Sequence, residues 1–318
     1  MKKTKLFQVL IALSAWELRN LKQFVTSPFF NQRKDVVKLL EFFIENQTGE
    51  NAGLNREAAF EFVFPNKTFN DQSFRLLISR LLKLTEDFLA CREALGDETQ
   101  WKINLSKAYR KMNMEKPFKK TVGQIREQLE KRNLRNAEYC HKLYRAEYEY
   151  YAYISSRVRS GETNLQLLTD TFDTFYIAGK LQQACMMVSH QAVFKKQYEF
   201  GLLKAVLGFI EQNEEVLSAP AVAVYYNCYK AVTSPDSESH FQKLRELIQT
   251  HQNKFTESEL SGIYLMTINY CIRKLNTGKR YYIREGFELY RSGLASEILL
   301  ENDVISQFTF NNTIAMGL

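Results

Sequence analysis

The sequence predicts an all-α protein: an N-terminal helical domain over 1–97, then, over 98–318, an α–α superhelix of antiparallel helix hairpins whose last repeat is incomplete. Three observations predict it. Only 5 prolines and 13 glycines interrupt 318 residues, so segments rich in Leu, Glu, Lys, Gln and Ala meet few helix breakers. Runs that alternate Val, Ile or Thr with polar residues are nearly absent, which argues against sheet. Finally, Cys140, Cys185, Cys228 and Cys271 follow one another at intervals of 45, 43 and 43 residues, and a fixed period in that range is the signature of stacked helix pairs.

The elements follow in order. The opening MKKTKLFQVLIALSAW has a basic start, but Gln8 breaks its short apolar run and no cleavage site follows. It reads as a helix over 4–12 rather than a secretion signal. SAWE then forms a capping box, Ser14 with Glu17, which starts a helix over 15–26. Pro28 ends that helix region. Further helices are predicted over 33–46, 55–64 and 70–95, separated by the loops QTGENAGLN and FPNKTFND, with Asn70 or Asp71 as the cap of the third. Trp101–Met114 is the next helix, and Pro117 suits the first turn of its successor. The remaining helices are predicted over 118–133, 136–158, 163–178, 180–198, 201–213, 219–233, 237–252, 257–275, 280–292 and 303–318. Short links such as RSGET, TSPDSES and LNTGK force neighbours into antiparallel hairpins.

A small residue once per period marks where the first helix of each hairpin packs tightly on its second, and cysteine serves as a small hydrophobe there. Points one repeat apart lie on the order of 10 Å from each other, too far for a disulfide or a shared metal. Asn227, Asn269 and Asn312 keep similar time, and one further period from Cys271 falls near Ala315. The closing SQFTFNNTIAMGL reads as the leading helix of another repeat, either a terminal cap or the end of a piece of a longer array.

Charge is uneven. Residues 101–160 hold 15 Lys and Arg against 6 Glu, whereas 161–318 hold 14 against 17 acidic residues. A concentrated positive field attracts acidic partners or nucleic acid. No apolar run reaches the length of a membrane span, and a cytoplasmic protein is expected. The nucleotide-binding, hydrolase, metalloprotease and calcium-loop signatures are absent, and no nucleophile, base and orienting group stand out together. The reading is therefore a non-enzymatic scaffold with no cofactor and no metal.

Its candidate contacts are Lys107, Arg110 and Lys111 for an acidic segment, and Tyr144, Arg145, Tyr148 and Tyr151 from EYCHKLYRAEYEYYAYISSRVRS. The tyrosines there share a helical stripe among basic residues, and tyrosine gives large contact area at low entropic cost. Asn227 and Asn269 are placed in a groove lined by the first helices, where they would bond an extended peptide.

The stretch YLMTINYCIRKLNTGKRYYIREGFELYRSGL resembles a tetratricopeptide-type unit, with Gly278 at the helix turn, Cys271 at the small position of the first helix and Phe287 at the aromatic position of the second. The resemblance implies a right-handed superhelix with a concave groove for a protein or peptide. LKQFVTSPFFNQ is similar to the opening of uncharacterised bacterial helical-repeat proteins. A second resemblance gives the alternative function. LNREAAFEFVFPNKTFNDQSFRLLISRLLKLTEDFL is similar to the helix-turn-helix portion of winged-helix response regulators, and implies DNA-backbone contacts by Arg75, Arg80 and Lys83 with the repeats as a sensor.

Overall fold

Side-chain caps set where many of the helices begin. Ser14 accepts the Glu17 amide while the Glu17 carboxylate accepts the Ser14 amide, closing a capping box at the start of the helix Ala15–Thr26. Asn70 caps the helix Asp71–Gly96 through the Ser73 amide, Asn136 caps the helix Ala137–Ser155 through the Tyr139 amide, and Thr256 with Glu259 builds a second capping box. Each such side chain pairs a backbone donor that a helix start leaves open. The computed structural model describes residues 4–46, 55–157, 161–194, 196–234 and 237–317. Most of the QTGENAGLN loop, part of the RSGET and TSPDSES links, and Arg159 lie outside the described residues.

The protein is all-α. Its contacts divide it into two units, Met1–Trp101 and Lys102–Leu318. The first holds α1 (Lys5–Ala12), α2 (Ala15–Thr26), α3 (Lys34–Glu45), α4 (Arg56–Val63) and α5 (Asp71–Gly96). Leu10, Leu21, Leu39, Leu40, Phe43, Phe74 and Leu81 form its interior.

α6 (Glu98–Lys111) runs from that boundary into the second unit, followed by α7 (Glu115–Lys131), α8 (Ala137–Ser155), α9 (Leu165–Phe194), α10 (Leu203–Gln212), α11 (Pro220–Thr233), α12 (Ser237–His251), α13 (Glu257–Asn276), α14 (Tyr281–Ala295) and α15 (Gln307–Gly317). α8 packs with α9, α11 with α12, and α13 with α14, while α9 and α13 also flank α11. The Gly278 φ of +86° makes the turn between α13 and α14, a left-handed backbone that glycine adopts without strain.

Two predicted helices, 163–178 and 180–198, are a single helix of 30 residues, α9. Gly179 lies inside it. A mid-helix glycine costs about 1 kcal/mol relative to alanine, but Ile177, Ala178, Leu181, Ala184 and Cys185 are all buried around it, and that burial outweighs the break. The fusion carries the second half of α9 directly onto α11. Cys185 therefore sits in a second helix rather than a first, and its Sγ lies 3.4 Å from the Tyr225 carbonyl oxygen of α11. Tyr225 lies one turn before Cys228, so the two cysteines belong to the same helix crossing. This corrects the expected repeat-length separation of the two thiols. Cys140, Cys228 and Cys271 do occupy first helices and are buried.

The end of the chain differs in two ways. Helix was predicted from 303, but Leu300–Glu301 (β1) pairs antiparallel with Val304–Ile305 (β2) before α15 starts. Asn302 and Asp303, at φ +53° and +62°, form the two-residue turn that suits a hairpin's twist. Ala315 is exposed and its neighbour Met316 is buried instead.

The close approach around Cys271 is shared with α14. A Cβ at Gly286 would lie 3.4 Å from the Cys271 Cβ and 2.6 Å from the Met316 Sδ; one at Gly293 would lie 2.6 Å from the Leu299 Cδ1 and 3.2 Å from the Tyr264 ring. All three neighbours are buried, but the long, unbranched thioether of Met316 can re-seat its end, whereas the branched Leu299 and the Tyr264 ring cannot. Gly293→Ala is expected to destabilise by about 1–3 kcal/mol through overpacking. Gly286→Ala is expected to stay within about 1 kcal/mol of the parent, because the helix-propensity gain of alanine offsets the displaced methionine. Denaturant midpoints of the two variants check this, and the reverse order would refute the packing assignment.

Candidate interaction surface

Helix α8 carries the tyrosine stripe, and its orientation is fixed by two carboxylates that point away from solvent. Glu147 is 1% exposed. Arg126 of α7 grips it through Nε and Nη2 at 2.7 and 2.6 Å, and the Asn164 amide donates to it at 2.8 Å. Glu149, also buried, accepts from the Arg110 Nε of α6 at 2.7 Å. A buried carboxylate is tolerated only when paired and hydrogen-bonded, and these two pairs hold α8 from two sides. Arg110 is thus half-buried and already paired within the fold, which departs from its expected role as an open cation for an acidic segment. Charge spacing along a sequence does not tell which cations find a carboxylate in the fold.

With that register set, Tyr144, Tyr148 and Tyr151 share the outer face of α8. Tyr144 meets Phe172 of α9 at 5.1 Å between ring centroids and Tyr148 at 6.3 Å; His141 stacks on Phe175 at 4.7 Å. Tyr148 is 48% exposed, Phe172 43% and Tyr176 37%. Arg145 is half-buried and engaged with its surroundings. The sequence reading does not name the α9 members, although Leu165, Phe172 and Tyr176 stand at i, i+7 and i+11 within the predicted 163–178 helix, a helical stripe without the basic residues that mark the one on α8. The result is an aromatic surface, held in place by ring-on-ring contacts and carrying phenolic tips. Large exposed apolar patches of this kind mark interaction sites.

The other candidates fall elsewhere. Lys107 and Lys111 are exposed on α6. Asn227 is buried; its amide donates to the Ala223 carbonyl and its oxygen faces the His240 Nδ1 at 3.0 Å. It links α11 to α12 and is closed to a peptide, while Asn269 is exposed and Asn312 donates to the Tyr290 hydroxyl. The expected groove along the first helices is interrupted, because every residue of α11 from Ala221 to Cys228 is buried.

The start of α8 also reaches α13. Asn136 donates to Glu259 at 2.6 Å, the Arg135 amide donates to the Lys254 carbonyl at 2.8 Å, and Gln182 bridges the Tyr225 hydroxyl and Glu259. Burial, then the charge of Glu259, pushes the Tyr225 phenol well above its ordinary range. Beside this seam lie two clefts of about 220 and 320 Å³ that share Tyr139, the first lined by Cys140, Leu143, Thr171 and Pro220, the second by Arg132, Lys142 and Thr256.

Arg75, Arg80 and Lys83 are exposed on α5, with Arg75 paired to Asp71. α5 continues for 26 residues to Gly96, and α6 follows at Glu98. The β-hairpin that a winged helix places after its recognition helix is not there, so the chain departs from that resemblance where the wing should begin.

Among the described residues no three His, Cys, Asp or Glu side chains gather as metal ligands, and no helix is long and apolar enough to cross a membrane. No family model, no curated protein and no solved structure matches the chain.

Two measurements follow from these environments. Arg126→Ala leaves Glu147 buried with the Asn164 amide as its remaining side-chain partner, and is expected to cost about 3–5 kcal/mol; Arg126→Ala combined with Glu147→Leu should recover much of that loss in denaturant melts. Burial pushes the Cys140 thiol up to about 11 and the Cys271 thiol up to about 12, and the Cys228 thiol together with burial raises Cys185. Since the thiolate is the reactive form, alkylation of the native protein at pH 8 is expected to modify Cys91, which is only partly buried, far faster than Cys140, Cys185 or Cys271. Mass mapping of the alkylated sites checks the order.

Proposed function

We propose that this chain is a non-enzymatic binding scaffold that recognises a protein partner through the aromatic face of α8 and α9, and that its C-terminal unit is a degenerate tetratricopeptide-like stack. The observation that carries the reading is the row of half-exposed rings on that face, Tyr144 against Phe172 with Tyr148 and Tyr176 beside them. Such rings are large anchors with little entropy left to lose, and interface hot spots favour them. The hairpin pairings α11 with α12 and α13 with α14, and the glycine turn at Gly278, support the repeat reading. The partner's contacts fall on a margin of the unit rather than in a central groove, since α11 is buried at every position from Ala221 to Cys228.

The test uses the whole protein as bait, with Tyr148→Ser plus Phe172→Ser as the variant and Trp16→Ser, at another strongly exposed ring, as the control. The proteins retained by the parent are expected to fall by roughly tenfold or more with the double variant, about 1.4 kcal/mol or more of lost binding. They should be retained by the control. An unchanged set with the double variant would sink the proposal.

A further inference from the structure

The basic segment does not stay uniformly positive once folded. Arg110, Lys119, Arg126, Lys131, Lys142 and Arg157 each face a carboxylate. The Arg135 guanidinium donates to the Glu130 and Leu134 carbonyls at the end of α7, and Lys102 reaches Gln128. Lys107, Lys111, Lys116 and Lys120 are exposed and meet no carboxylate among the described residues. These four flank a single bend in the chain. α6 and α7 form a hairpin, with Ile103 packed on Ile125 and Leu129 towards its open end. At its closed end Met112–Met114 makes the bend, where Asn113 has φ +56° and the Met114 amide donates to the Tyr109 carbonyl at 3.0 Å. Lys107 and Lys111 lie one turn apart just before the bend, and Lys116 and Lys120 lie one turn apart just after it. Met112, 66% exposed, and Met114, 41% exposed, sit between them.

We infer that the tip of the α6–α7 hairpin docks an acidic segment of a partner protein, its carboxylates on the four lysines and its apolar side chains on Met112 and Met114. Charge complementarity selects the sign of the occupant. Its protein nature follows from the rest of the surface. Methionine offers a soft, adaptable seat for side chains of varied shape. The four cations are lysines, point charges without the planar fork that arginine brings to phosphates, and Arg110, the arginine nearest the bend, is held by Glu149. Tyr109, the ring nearest the bend in sequence, packs on the cluster of Phe118, Val122 and Tyr153 rather than standing free for base stacking. This surface shares no residue with the aromatic face of α8 and α9, so each can fail without the other.

The probe is a fluorescein-labelled peptide rich in glutamate with leucine at every fourth position, followed by anisotropy at stepped salt. Binding is expected at low salt and to weaken as salt rises. It should weaken roughly 10- to 100-fold in Lys107→Glu, Lys111→Glu, Lys116→Glu, Lys120→Glu combined, the product of four modest surface terms. It should persist when all four are arginine, fall several-fold in Met112→Ser plus Met114→Ser, and be unaffected by Tyr148→Ser plus Phe172→Ser. The four-glutamine variant, with an unchanged melting midpoint, guards against a fold defect in the reversal. Equal peptide binding by the reversal variant overturns the inference. So does tighter binding of duplex DNA or phosphatidylserine vesicles than of peptide, or a salt-sensitive dimer in sedimentation that the reversal abolishes, which would assign the tip to a second copy of the chain.

Discussion

The enclosure of α11 is the constraint on which the C-terminal unit depends. A helix buried along one stripe needs one neighbour; a helix buried at every position from Ala221 to Cys228 needs neighbours all round. α9, α12, α13 and the 3-10 turn at Glu214–Ser218 supply them. Each fully buried Val or Tyr contributes about 1.5–3 kcal/mol, so the arrangement is favourable only if those neighbours approach closely. Ala221, Ala223, Cys228 and Ala231 permit that approach on α11, as Ala184 and Cys185 do on α9. The 30-residue span of α9 has its cause here. A break at Gly179 would remove the second half of α9 from its place against α11.

Enclosure also decides where binding can occur. A helix surrounded on all sides cannot line a groove, and the seam from Asn136 to Glu259 draws the start of α13 against the start of α8. Side chains with unused contact area are consequently found at the margins, on the outer face of α8 and α9 and at the bend between α6 and α7. The buried carboxylates Glu147 and Glu149 belong to the same logic. They do little for net stability, because desolvation offsets most of the attraction. Removing either arginine would nonetheless be costly, so the pairs fix which face of α8 turns outward.

Local signals were the legible part of the sequence. The caps at Ser14 and Asn70, the glycine turn at 278 and the start of α2 were readable because each is settled within four residues. The failures are places where a distant surface overruled a local preference. Gly179 looks like a boundary until the burial on both sides of it is known. Asn302 and Asp303 sit in left-handed backbone that side chains of that type accept, but the packing just before the hairpin they close, Leu299 over Gly293, joins residues of two elements and is not visible locally. Asn227 and Arg110 carry the right chemistry for a binding surface, and the fold turned both inward to partners 13 and 39 residues away. Sequence position gave no hint of either partner. The aromatic face was half legible, because α8 shows its stripe among basic residues, whereas Phe172 and Tyr176 of α9 are interleaved with Asp170 and Asp173 and read as an ordinary packing face.

The spacing of the cysteines raises one last physical question: why a period should persist where the repeat itself does not. Cys185 keeps the interval although α9 is a fused helix. A packing requirement explains this better than repeat identity does. What recurs is a helix crossing in which a side chain of thiol size faces a neighbouring backbone: Cys185 against the Tyr225 carbonyl, Cys271 against Gly286. The crossing can be supplied by the first helix of a hairpin or by the far end of a long second helix. In either case the side chain must be small and apolar, and burial keeps the thiol protonated and therefore inert. On this account alanine should substitute at Cys185 and Cys271 with little loss, whereas a larger residue should force the helices apart, and the regular interval records the distance along the chain between successive crossings.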